Sequence, residues 1–297
     1  MKIFLTGKNG QLGYQLECDL KKSYEVIATD RDTLDLKDTQ AIEDIIQKIK
    51  PDLIINTAAY TNVDKAENEK DLAYEINALA PKALTKAAIA LDIPIIYIST
   101  DYIFDGLKKN AYEEEDCPNP LSVYGKTKWQ GEEFVRQNPK HFILRTSWVF
   151  SSHGHNFLRT IIKLAQEKTS LNIVDDQWGA PTSVKALSKA IQIIIQYFDN
   201  QYNSDIYGTY HVVSKGETNW YLYARQILDI LESFKIELKI IKGNLHPIPS
   251  SQFPQAAMRP KNSRMNTEKF KNTFMVEFPH WENEVNDVVS QIIKNLK

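Results

Sequence analysis

The sequence predicts an α/β protein built on a doubly wound parallel sheet, with helices covering both faces of the sheet. Two observations support this fold class. Short apolar runs alternate with amphipathic helical segments through the first half of the chain. The runs are also apolar throughout, which is typical of strands covered on both faces, whereas a half-exposed strand alternates apolar and polar residues.

Strands in the first half of the chain are predicted at residues 2–6, 25–29, 53–57, 93–99 and 141–146. The helices between them are predicted at residues 11–21, 39–50, 71–91 and 120–137. Pro51 is expected to end the second helix, because proline has no backbone N–H to donate. Pro81 is expected to kink or divide the third helix.

The alternation becomes looser after about residue 150. Helical periodicity is present at residues 156–167, 184–198 and 219–231, and a strand is predicted at residues 207–213. Residues 242–263 are expected to be rich in loops because they contain Pro247, Pro249, Pro254 and Pro260. We therefore expect the second half to form a smaller, irregular lobe that lays loops over the first.

The composition excludes several classes of protein. Hydrophobic residues make up 42% of the 297 residues, which is enough apolar material for a sizeable core. The formal net charge of −2 provides no basic field for nucleic acid. Cys18 and Cys117 are the only cysteines, so neither a disulfide framework nor a zinc site is predicted. No apolar stretch approaches the roughly 20 residues of a membrane span, and we expect a cytoplasmic protein without a membrane partner.

Three glycines, Gly7, Gly10 and Gly13, lie where the first predicted strand turns into the first helix. Glycine permits the tight turn and lets backbone amides approach a phosphate, while the helix N-terminus adds partial positive charge. Asp30 ends the second strand, where an acid can bind the ribose hydroxyls of adenosine. The pattern predicts a Rossmann-like domain over residues 1–150 that binds NADH or NADPH. Residues 151–297 are then mainly a substrate-binding lobe, with some segments returning to the first domain.

The choice between the two coenzymes stays open in the sequence. Asp30 favours NADH because it repels a 2′-phosphate, whereas Arg31 either pairs with that phosphate or is a plain surface charge. Ala58 and Ala59 follow the third strand and are small enough for a cofactor to pass close to the backbone. The alternative is a loop of small residues packed against a helix.

Tyr124 and Lys128 are four residues apart on a predicted helix and therefore lie on one face. A phenol has a pKa of about 10, and a nearby ammonium stabilises its anion, so Tyr124 is a candidate proton donor to a carbonyl oxygen. Thr100 lies just past a strand end, where its hydroxyl would hold that carbonyl, with Ser99 as a rival or a turn cap as the alternative. Asp101 would bind substrate hydroxyls or fix the same turn.

Together these motifs resemble the extended short-chain dehydrogenase/reductase superfamily. Within it the chain is similar to the dTDP-4-dehydrorhamnose reductase family over nearly its whole length. The motifs that carry the resemblance are residues 7–13, 56–67, 99–104, 119–128, 145–150, 176–182 and 259–263. Many matches in one order are difficult to obtain by chance, whereas a single glycine-rich turn or one Tyr-x-x-x-Lys pair is weak.

The resemblance implies roles for individual residues along the cofactor. The pyrophosphate would be bound by Gly10, Gln11 and Leu12, and the adenosine ribose by Asp30. The adenine would lie near Asp35 and Leu36, and Ala59 and Thr61 would pass beneath the cofactor. Lys128 would also bind the nicotinamide ribose as the electrostatic partner of Tyr124.

The resemblance also implies contacts with a dTDP-4-keto-deoxysugar. The deoxysugar would contact Thr100, Asp101 and Trp148, and the diphosphate would contact Asn156 and Arg259. An ordinary core position for Trp148 and a loop salt bridge for Arg259 explain these two residues equally well. The implied reaction is reduction of the C4 ketone of dTDP-4-dehydro-L-rhamnose to dTDP-L-rhamnose, with hydride from the nicotinamide and a proton from Tyr124.

Other functions on the same scaffold are alternatives. A reductase or epimerase of another nucleotide-linked 4-keto-deoxysugar would use similar motifs. A 4,6-dehydratase tends to place an acid directly after the Thr100–Asp101 pair, where this chain has Tyr102. A non-catalytic regulatory subunit would be suggested by loss of Tyr124 or Lys128, but both are present.

One departure from the family concerns a metal. Some members form dimers bridged by a metal ion between glutamates, and the positions that align here are Gln15 and Lys185. Gln15 carries no charge and Lys185 would repel a cation. The sequence therefore predicts no bridging metal, and a monomer or a homodimer of another kind.

Overall fold

The computed structural model describes residues 1–199 and 206–296. Its strands are β1 (Lys2–Thr6), β2 (Glu25–Thr29), β3 (Leu53–Asn56), β4 (Ile95–Thr100), β5 (His141–Thr146), β6 (Val149–Phe150), β7 (Leu171–Val174), β8 (Trp178–Gly179), β9 (Thr182–Ser183), β10 (Gly208–His211), β11 (Thr218–Asn219) and β12 (Leu245–Ile248). Its α-helices are α1 (Gln11–Leu20), α2 (Thr39–Ile49), α3 (Val63–Ala66), α4 (Lys70–Tyr74), α5 (Ala80–Ala90), α6 (Val123–Val135), α7 (Phe157–Glu167), α8 (Val184–Asp199), α9 (Trp220–Ser233), α10 (Glu268–Phe274) and α11 (Trp281–Leu296).

The main sheet contains six parallel strands among the described residues, in the spatial order β10-β5-β4-β3-β1-β2. The chain runs outward from β1 to β2 and then returns to place β3 on the other side of β1. This reversal creates a crevice at the carboxyl ends of β1 and β3, where ligands of doubly wound sheets bind. The predicted fold class is confirmed.

Both faces of the sheet are buried, which explains why its strands are apolar throughout. Ile3 and Leu5 of β1 pack with α1 and α8 on one face, whereas Phe4 packs with α2 and α5 on the other. Alternate side chains of a strand point to opposite faces, so a sheet covered by helices on both sides needs apolar residues at every position. Helix α8 and strand β10 thus join the layers of the first half of the chain.

The second lobe has its own core between α7, α9 and α11, with Leu158, Ile227 and Val289 fully buried in it. Residues 242–263 are rich in loops, but they also contain a strand that was not predicted, because β12 pairs in parallel with β7 and Pro247 lies opposite Ile173. A proline is tolerated there because this two-stranded sheet leaves its backbone on an edge. Helices α10 and α11 had no counterpart in the sequence analysis.

The single helix expected at residues 71–91 is divided, as Pro81 suggested. A π-helical turn at Glu75–Leu79 separates α4 from α5. Pro81 has no N–H for the carbonyl of Asn77, its α-helical partner, and its ring would collide with that carbonyl. The wider turn relieves the collision, and the buried hydroxyl of Tyr97 donates a hydrogen bond to the Asn77 carbonyl at 3.0 Å.

We expect Gly131→Ala to destabilise the protein by about 1–2 kcal/mol. A Cβ atom at Gly131 would lie 2.2 Å from the Asn77 carbonyl oxygen and 2.5 Å from the Tyr97 hydroxyl. Overpacking of this kind costs about 1–3 kcal/mol, and the gain in helix propensity of about 1 kcal/mol is too small to offset a backbone collision. Chemical denaturation should show the loss, whereas Gly243→Ala, with no atom within 4 Å of the new Cβ, should leave stability nearly unchanged.

Candidate active site

The glycine turn between β1 and α1 is shaped for a close approach of backbone and ligand. Gly7 has φ +80°, and a Cβ at Gly13 would lie 2.1 Å from the Gly7 carbonyl oxygen. Gly10 caps α1 without a side-chain hydrogen bond, so the first N–H groups of the helix face outward. These features fit a pyrophosphate against the helix N-terminus.

Asp30 lies directly beside this turn at the end of β2. Its carboxylate accepts hydrogen bonds from the hydroxyl and backbone N–H of Thr33, at 2.8 and 3.1 Å, and from Asn9 at 3.1 Å. The ammonium of Lys8 lies 3.2 Å away. The Thr33 hydroxyl and the Lys8 ammonium lower the pKa of Asp30 to about 2. The charge of Asp30 is thus partly neutralised from the side of the glycine turn.

The remaining residues expected along the cofactor differ in their contacts and exposure. A Cβ at Gly7 would be 2.9 Å from the backbone nitrogen of Ala58, so the loop after β3 touches the glycine turn. Ala59 is partly exposed and Thr61 is exposed, as is Asp35 at the adenine end. Leu36 packs partly against the core, and Leu12 is buried in it, so Leu12 has only its backbone to offer a phosphate.

Helix α6 brings Tyr124 and Lys128 to the carboxyl end of β4. Ser122 caps this helix through the N–H of Gly125 at 3.1 Å. The ammonium of Lys128 is buried, donates to the Ile98 carbonyl at 2.6 Å and lies 3.9 Å from the centre of the Tyr97 ring. Burial raises the pKa of Tyr124 to about 12. The nearby Thr100 hydroxyl has the opposite effect and lowers this pKa, but by less.

The geometry favours Thr100 over Ser99 as the partner of Tyr124. Thr100 is the last residue of β4 rather than the residue after it, and its hydroxyl also accepts the N–H of Tyr102 at 3.2 Å. It therefore caps the following turn as well. The Ser99 hydroxyl instead donates to Glu132 at 2.5 Å. The two hydroxyls thus have different partners.

Asp101 is buried beside Thr100 with one oxygen unpaired. Its Oδ1 accepts the Thr100 hydroxyl at 3.0 Å, whereas its Oδ2 has no hydrogen-bond partner. Burial raises the pKa of Asp101 to about 6, although Ser263 and Thr100 oppose the rise. A buried acceptor without a donor is costly, and a hydroxyl-bearing ligand would supply the missing donor.

Arg259 forms a salt bridge, one of the two readings that the sequence left open. Its Nη2 and Nη1 contact the carboxylate of Asp64 at 2.7 and 3.2 Å. The guanidinium also lies within hydrogen-bonding reach of the Tyr102 phenol. The ring of Tyr102 packs edge-on against Tyr124, with centroids 5.4 Å apart. Arg259 is therefore linked to Tyr124 through the side chain of Tyr102, which lies between them.

Trp148 has a strained backbone with φ +48°, which costs a bulky residue about 1–3 kcal/mol. Its ring stacks on Trp220 with centroids 3.7 Å apart. A side chain at Gly179 would collide with the Trp148 ring at 2.9 Å. The ring is thus held in one orientation from both sides, although it packs partly as a core aromatic.

Asn156 caps α7 and also contacts the glycine turn. Its amide nitrogen donates to the Gln11 side chain at 2.8 Å, and the Ser151 hydroxyl donates to the same Gln11 oxygen at 2.8 Å. The N–H of Arg159 donates to Asn156 at 3.0 Å. Asn156 therefore lies beside the proposed pyrophosphate site and couples it to the second lobe.

Two buried polar residues near the site were missed by sequence reasoning. Asn77 bonds to the backbone of Tyr60 at 2.8 and 3.1 Å and to the Thr127 hydroxyl at 3.2 Å, which ties the cofactor loop to α6. Glu132 forms a buried ion pair with Arg145. The one sequence signal for Glu132 is its spacing, because it follows Lys128 by four residues and Tyr124 by eight and so lies on the same helix face.

The structure contains no group of three or more His, Cys, Asp or Glu side chains placed to hold a metal ion among residues 1–199 and 206–296. Gln15 donates to Asp19 at 2.8 Å, and Lys185 is exposed on α8. In the same part of the chain, no helix is both long and apolar enough to cross a membrane.

Comparison with known proteins identifies the family. A family model described as the RmlD substrate binding domain matches residues 1–293. The chain is 38% identical over 297 residues to the dTDP-4-dehydrorhamnose reductase of Salmonella typhimurium strain LT2, with 98% of each chain covered. The chain belongs to the dTDP-4-dehydrorhamnose reductase family.

Solved structures agree with this assignment to the reductase family. A dTDP-4-dehydrorhamnose reductase from Clostridium acetobutylicum matches with a TM-score of 0.89 at 37% identity, covering 99% of this chain and 100% of that one. The reductase from Bacillus anthracis, solved in complex with NADP, also matches with a TM-score of 0.89, at 35% identity and over 98% of this chain and 99% of that one. The predicted family is confirmed, and the expected class of nicotinamide cofactor agrees with the NADP bound to that relative.

We expect Asp101→Asn to stabilise the protein above pH 6. The folded carboxyl, with a pKa of about 6 against an ordinary value of 3.8, holds its proton more tightly than the unfolded one. Its contribution is therefore fully present below about pH 4 and lost as the pH rises through about 6. Denaturation as a function of pH should show a gain of up to about 3 kcal/mol in the variant above pH 6 and none below about pH 4.

Asp105→Asn is the matched control for this experiment. A hydrogen bond from the N–H of Leu107, assisted by Tyr112 and Asn119, lowers the pKa of Asp105 despite partial burial. Its ionised form is therefore the stabilising one, and the control should lose stability at neutral pH. Equal losses in both variants at pH 8 would contradict the assignment of Asp101 as a costly buried carboxylate.

Proposed function

We propose that the protein reduces the C4 ketone of dTDP-4-dehydro-L-rhamnose to give dTDP-L-rhamnose, with NADPH or NADH as the reductant. Membership of the reductase family supports the substrate class. The observation that carries the proposal is that one face of α6 brings Tyr124 and Lys128 to the carboxyl end of β4, with Thr100 near the Tyr124 phenol and Lys128 bonded to the Ile98 carbonyl. This is the edge of a doubly wound sheet at which a bound carbonyl would meet the cofactor.

Tyr124 is the proposed proton donor. With its pKa raised to about 12 by burial, the phenol holds its proton at neutral pH, and release of that proton needs a charge that stabilises the phenolate. The bound nicotinamide supplies the hydride for the carbonyl carbon. As charge develops on the carbonyl oxygen, Tyr124 transfers its proton and Thr100 donates a hydrogen bond. The Lys128 ammonium then stabilises the phenolate that remains.

The proposed division of binding follows the two halves of the chain. Residues 1–150 supply the cofactor site, with Gly7, Gly10 and Gly13 at the pyrophosphate and Asp30 at the adenosine ribose. Residues from 151 onward supply mainly the substrate side, where Trp148, just before this boundary, lies against Trp220. Asp101 takes a sugar hydroxyl on its unpaired oxygen, and Arg259 meets the diphosphate while it stays anchored by Asp64.

We expect Tyr124→Phe to lower the rate of ketone reduction by about 10²–10⁴-fold while cofactor binding persists, because only the general acid is removed. The assay follows loss of nicotinamide absorbance and identifies the sugar product, with dTDP-4-dehydro-L-rhamnose generated in situ. Tyr207→Phe is the control, since Tyr207 packs against Phe142 near the amino ends of β10 and β5, away from the carboxyl end of β4. Equal rates for Tyr124→Phe and the control would refute the proton donor.

The same assay with each coenzyme tests the surroundings of Asp30. Lys8 neutralises part of the Asp30 charge, and Arg31 is exposed next to it, so a 2′-phosphate would meet cations as well as an acid. The proposal therefore includes turnover with NADPH as well as with NADH. A protein that binds NADPH but does not turn over this sugar would keep the fold and lose the proposed substrate.

We also propose that the chain assembles without a bridging metal, as a monomer or as another kind of homodimer. Gln15 is occupied by Asp19, and Lys185 places a cation where a metal ion would need an acid. We expect sedimentation of the protein to be the same with magnesium and with a chelator, because residues 1–199 and 206–296 hold no cluster of acidic, histidine or cysteine side chains from which a chelator could remove the ion. Dissociation of a dimer by the chelator alone would contradict this proposal.

A further inference from the structure

Helix α6 carries a third buried polar residue on the stripe of Tyr124 and Lys128. Glu132 follows Lys128 by four residues and Tyr124 by eight, so the three side chains share one face of the helix. All three face the end of β4: Lys128 donates to the Ile98 carbonyl, Glu132 accepts from the Ser99 hydroxyl, and Tyr124 lies near the Thr100 hydroxyl. Three consecutive residues of the strand thus lie against one helix face.

The carboxylate of Glu132 is fully buried and bound by two arginines. Arg145 contacts both of its oxygens, with Nε at 3.1 Å and Nη2 at 2.9 Å, and Arg136 contacts Oε2 at 2.7 Å. Arg145 is itself buried and donates to the Glu114 carbonyl at 2.9 Å. Although burial raises it, the charge and hydrogen bonds of Arg145 keep the pKa of Glu132 below its ordinary value. A negative charge is therefore fixed one helical turn beyond Lys128.

The ammonium of Lys128 lacks a carboxylate in direct contact within the described residues. Its neighbours are the Ile98 carbonyl and the ring of Tyr97, both on β4, and its own helix contributes the charge of Glu132. Burial lowers the pKa of Lys128 to about 7, and the charge of Glu132 opposes this fall. Groups facing Glu132 from the other side are Arg145 and His141 on β5 and Arg136 on α6.

We propose that Glu132 is a positioning residue for the reduction: it fixes α6 in register with β4 and holds the buried ammonium of Lys128 in its charged form. The inference rests on the proposed function, since the charge matters only if Lys128 supports Tyr124 and the cofactor. Glu132 is not in direct contact with Tyr124 or the cofactor site, and it acts through its own bond to Ser99 on β4 and through its field at Lys128.

Loss of this charge has a defined effect on pH dependence. A charged Lys128 is required both to bind the nicotinamide ribose and to stabilise the Tyr124 phenolate, so activity and cofactor affinity fall as the pH rises and Lys128 loses its proton. Without Glu132 the ammonium loses its compensating charge, and Arg145 and Arg136 remain as repelling cations. The midpoint of the alkaline fall therefore moves to lower pH by about one unit.

The test compares Glu132→Gln with Glu133→Gln. Glu133 is the next residue on the same helix, more than half exposed, with only a 3.5 Å contact to Arg136. The NADPH dissociation constant and kcat/KM are measured between about pH 5.5 and 9. We expect the midpoints of both profiles to fall by about one unit in Glu132→Gln, so that at pH 8 both quantities are about tenfold worse than in wild type. Glu133→Gln should match the wild type.

Two further variants separate this role from a purely structural one. Glu132→Asp keeps the charge and should keep the midpoint near that of the wild type. Because Glu132→Gln leaves the buried Arg145 without a carboxylate partner and risks misfolding, Glu132→Gln with Arg145→Gln removes both charges of the pair. This double variant should recover thermal stability and show a midpoint below that of the wild type but above that of Glu132→Gln, because the repulsion from Arg145 is removed as well.

The outcomes are distinguishable. Lower stability in Glu132→Gln with unchanged midpoints, or a wild-type midpoint in the folded double variant, would overturn the inference and leave Glu132 as a fold residue only. NADPH binding needs no sugar, so a wild-type protein that binds NADPH but fails to reduce dTDP-4-dehydro-L-rhamnose would defeat the proposed substrate, while the pH profile of binding would still decide the role of Glu132.

Discussion

The close approach of α6 to the carboxyl end of β4 is the contact on which the rest of the site depends. Two glycines permit it: a Cβ at Gly125 would lie 2.2 Å from the Tyr102 carbonyl oxygen, and one at Gly131 would lie equally close to that of Asn77. The candidate proton donor, Tyr124, precedes the first of these glycines directly. A helix displaced outward by a side chain would take the phenol out of hydrogen-bonding reach of Thr100, since such bonds weaken steeply beyond about 3.2 Å.

The burial produced by this approach opposes the charges that the proposed chemistry uses. It raises the pKa of Asp101 and lowers that of Lys128, so each group is pushed toward its neutral form. Glu132 is buried as deeply but stays ionised, because two arginines and a serine hydroxyl bind its oxygens. The two carboxylates differ in their hydrogen bonding. Asp101 retains an oxygen without a hydrogen-bond donor, which destabilises the folded protein and suits a ligand that brings a donor.

How much the sequence could predict depended on whether the signal was local. The strands of the main sheet were predictable because burial on both faces makes every position apolar, and Pro81 predicted the division of its helix through the loss of one N–H. The strand containing Pro247 was hidden, because proline argues against a strand unless the strand lies on an edge. The residues next to Trp148 in the sequence do not predict its positive φ, because its ring is held by Trp220, which lies far along the chain.

The motifs of the sequence pointed to Tyr124, Lys128 and Thr100. The ion pairs that form only when the chain folds could not be predicted from motifs. The pairing of Glu132 with Arg145 joins a helix to a strand, and that of Arg259 with Asp64 joins segments 195 residues apart. Neither pair has a fixed spacing that a motif could record. The resemblance to a family therefore located residues that ligands would touch, whereas the residues that support them emerged only from packing.

The charges at the two ends of the site are already paired within the protein. Asp30 lies against Lys8, and Arg259 is held by both oxygens of Asp64. Such pairing already restricts the rotamers of these side chains before a ligand binds. Binding therefore costs less side-chain entropy than it would for unpaired side chains. Lys128 differs, because in the described part of the chain its ammonium contacts a carbonyl and an aromatic ring, both neutral. Its charge is therefore free to act on a phenolate at Tyr124, the place where the proposed reaction develops one.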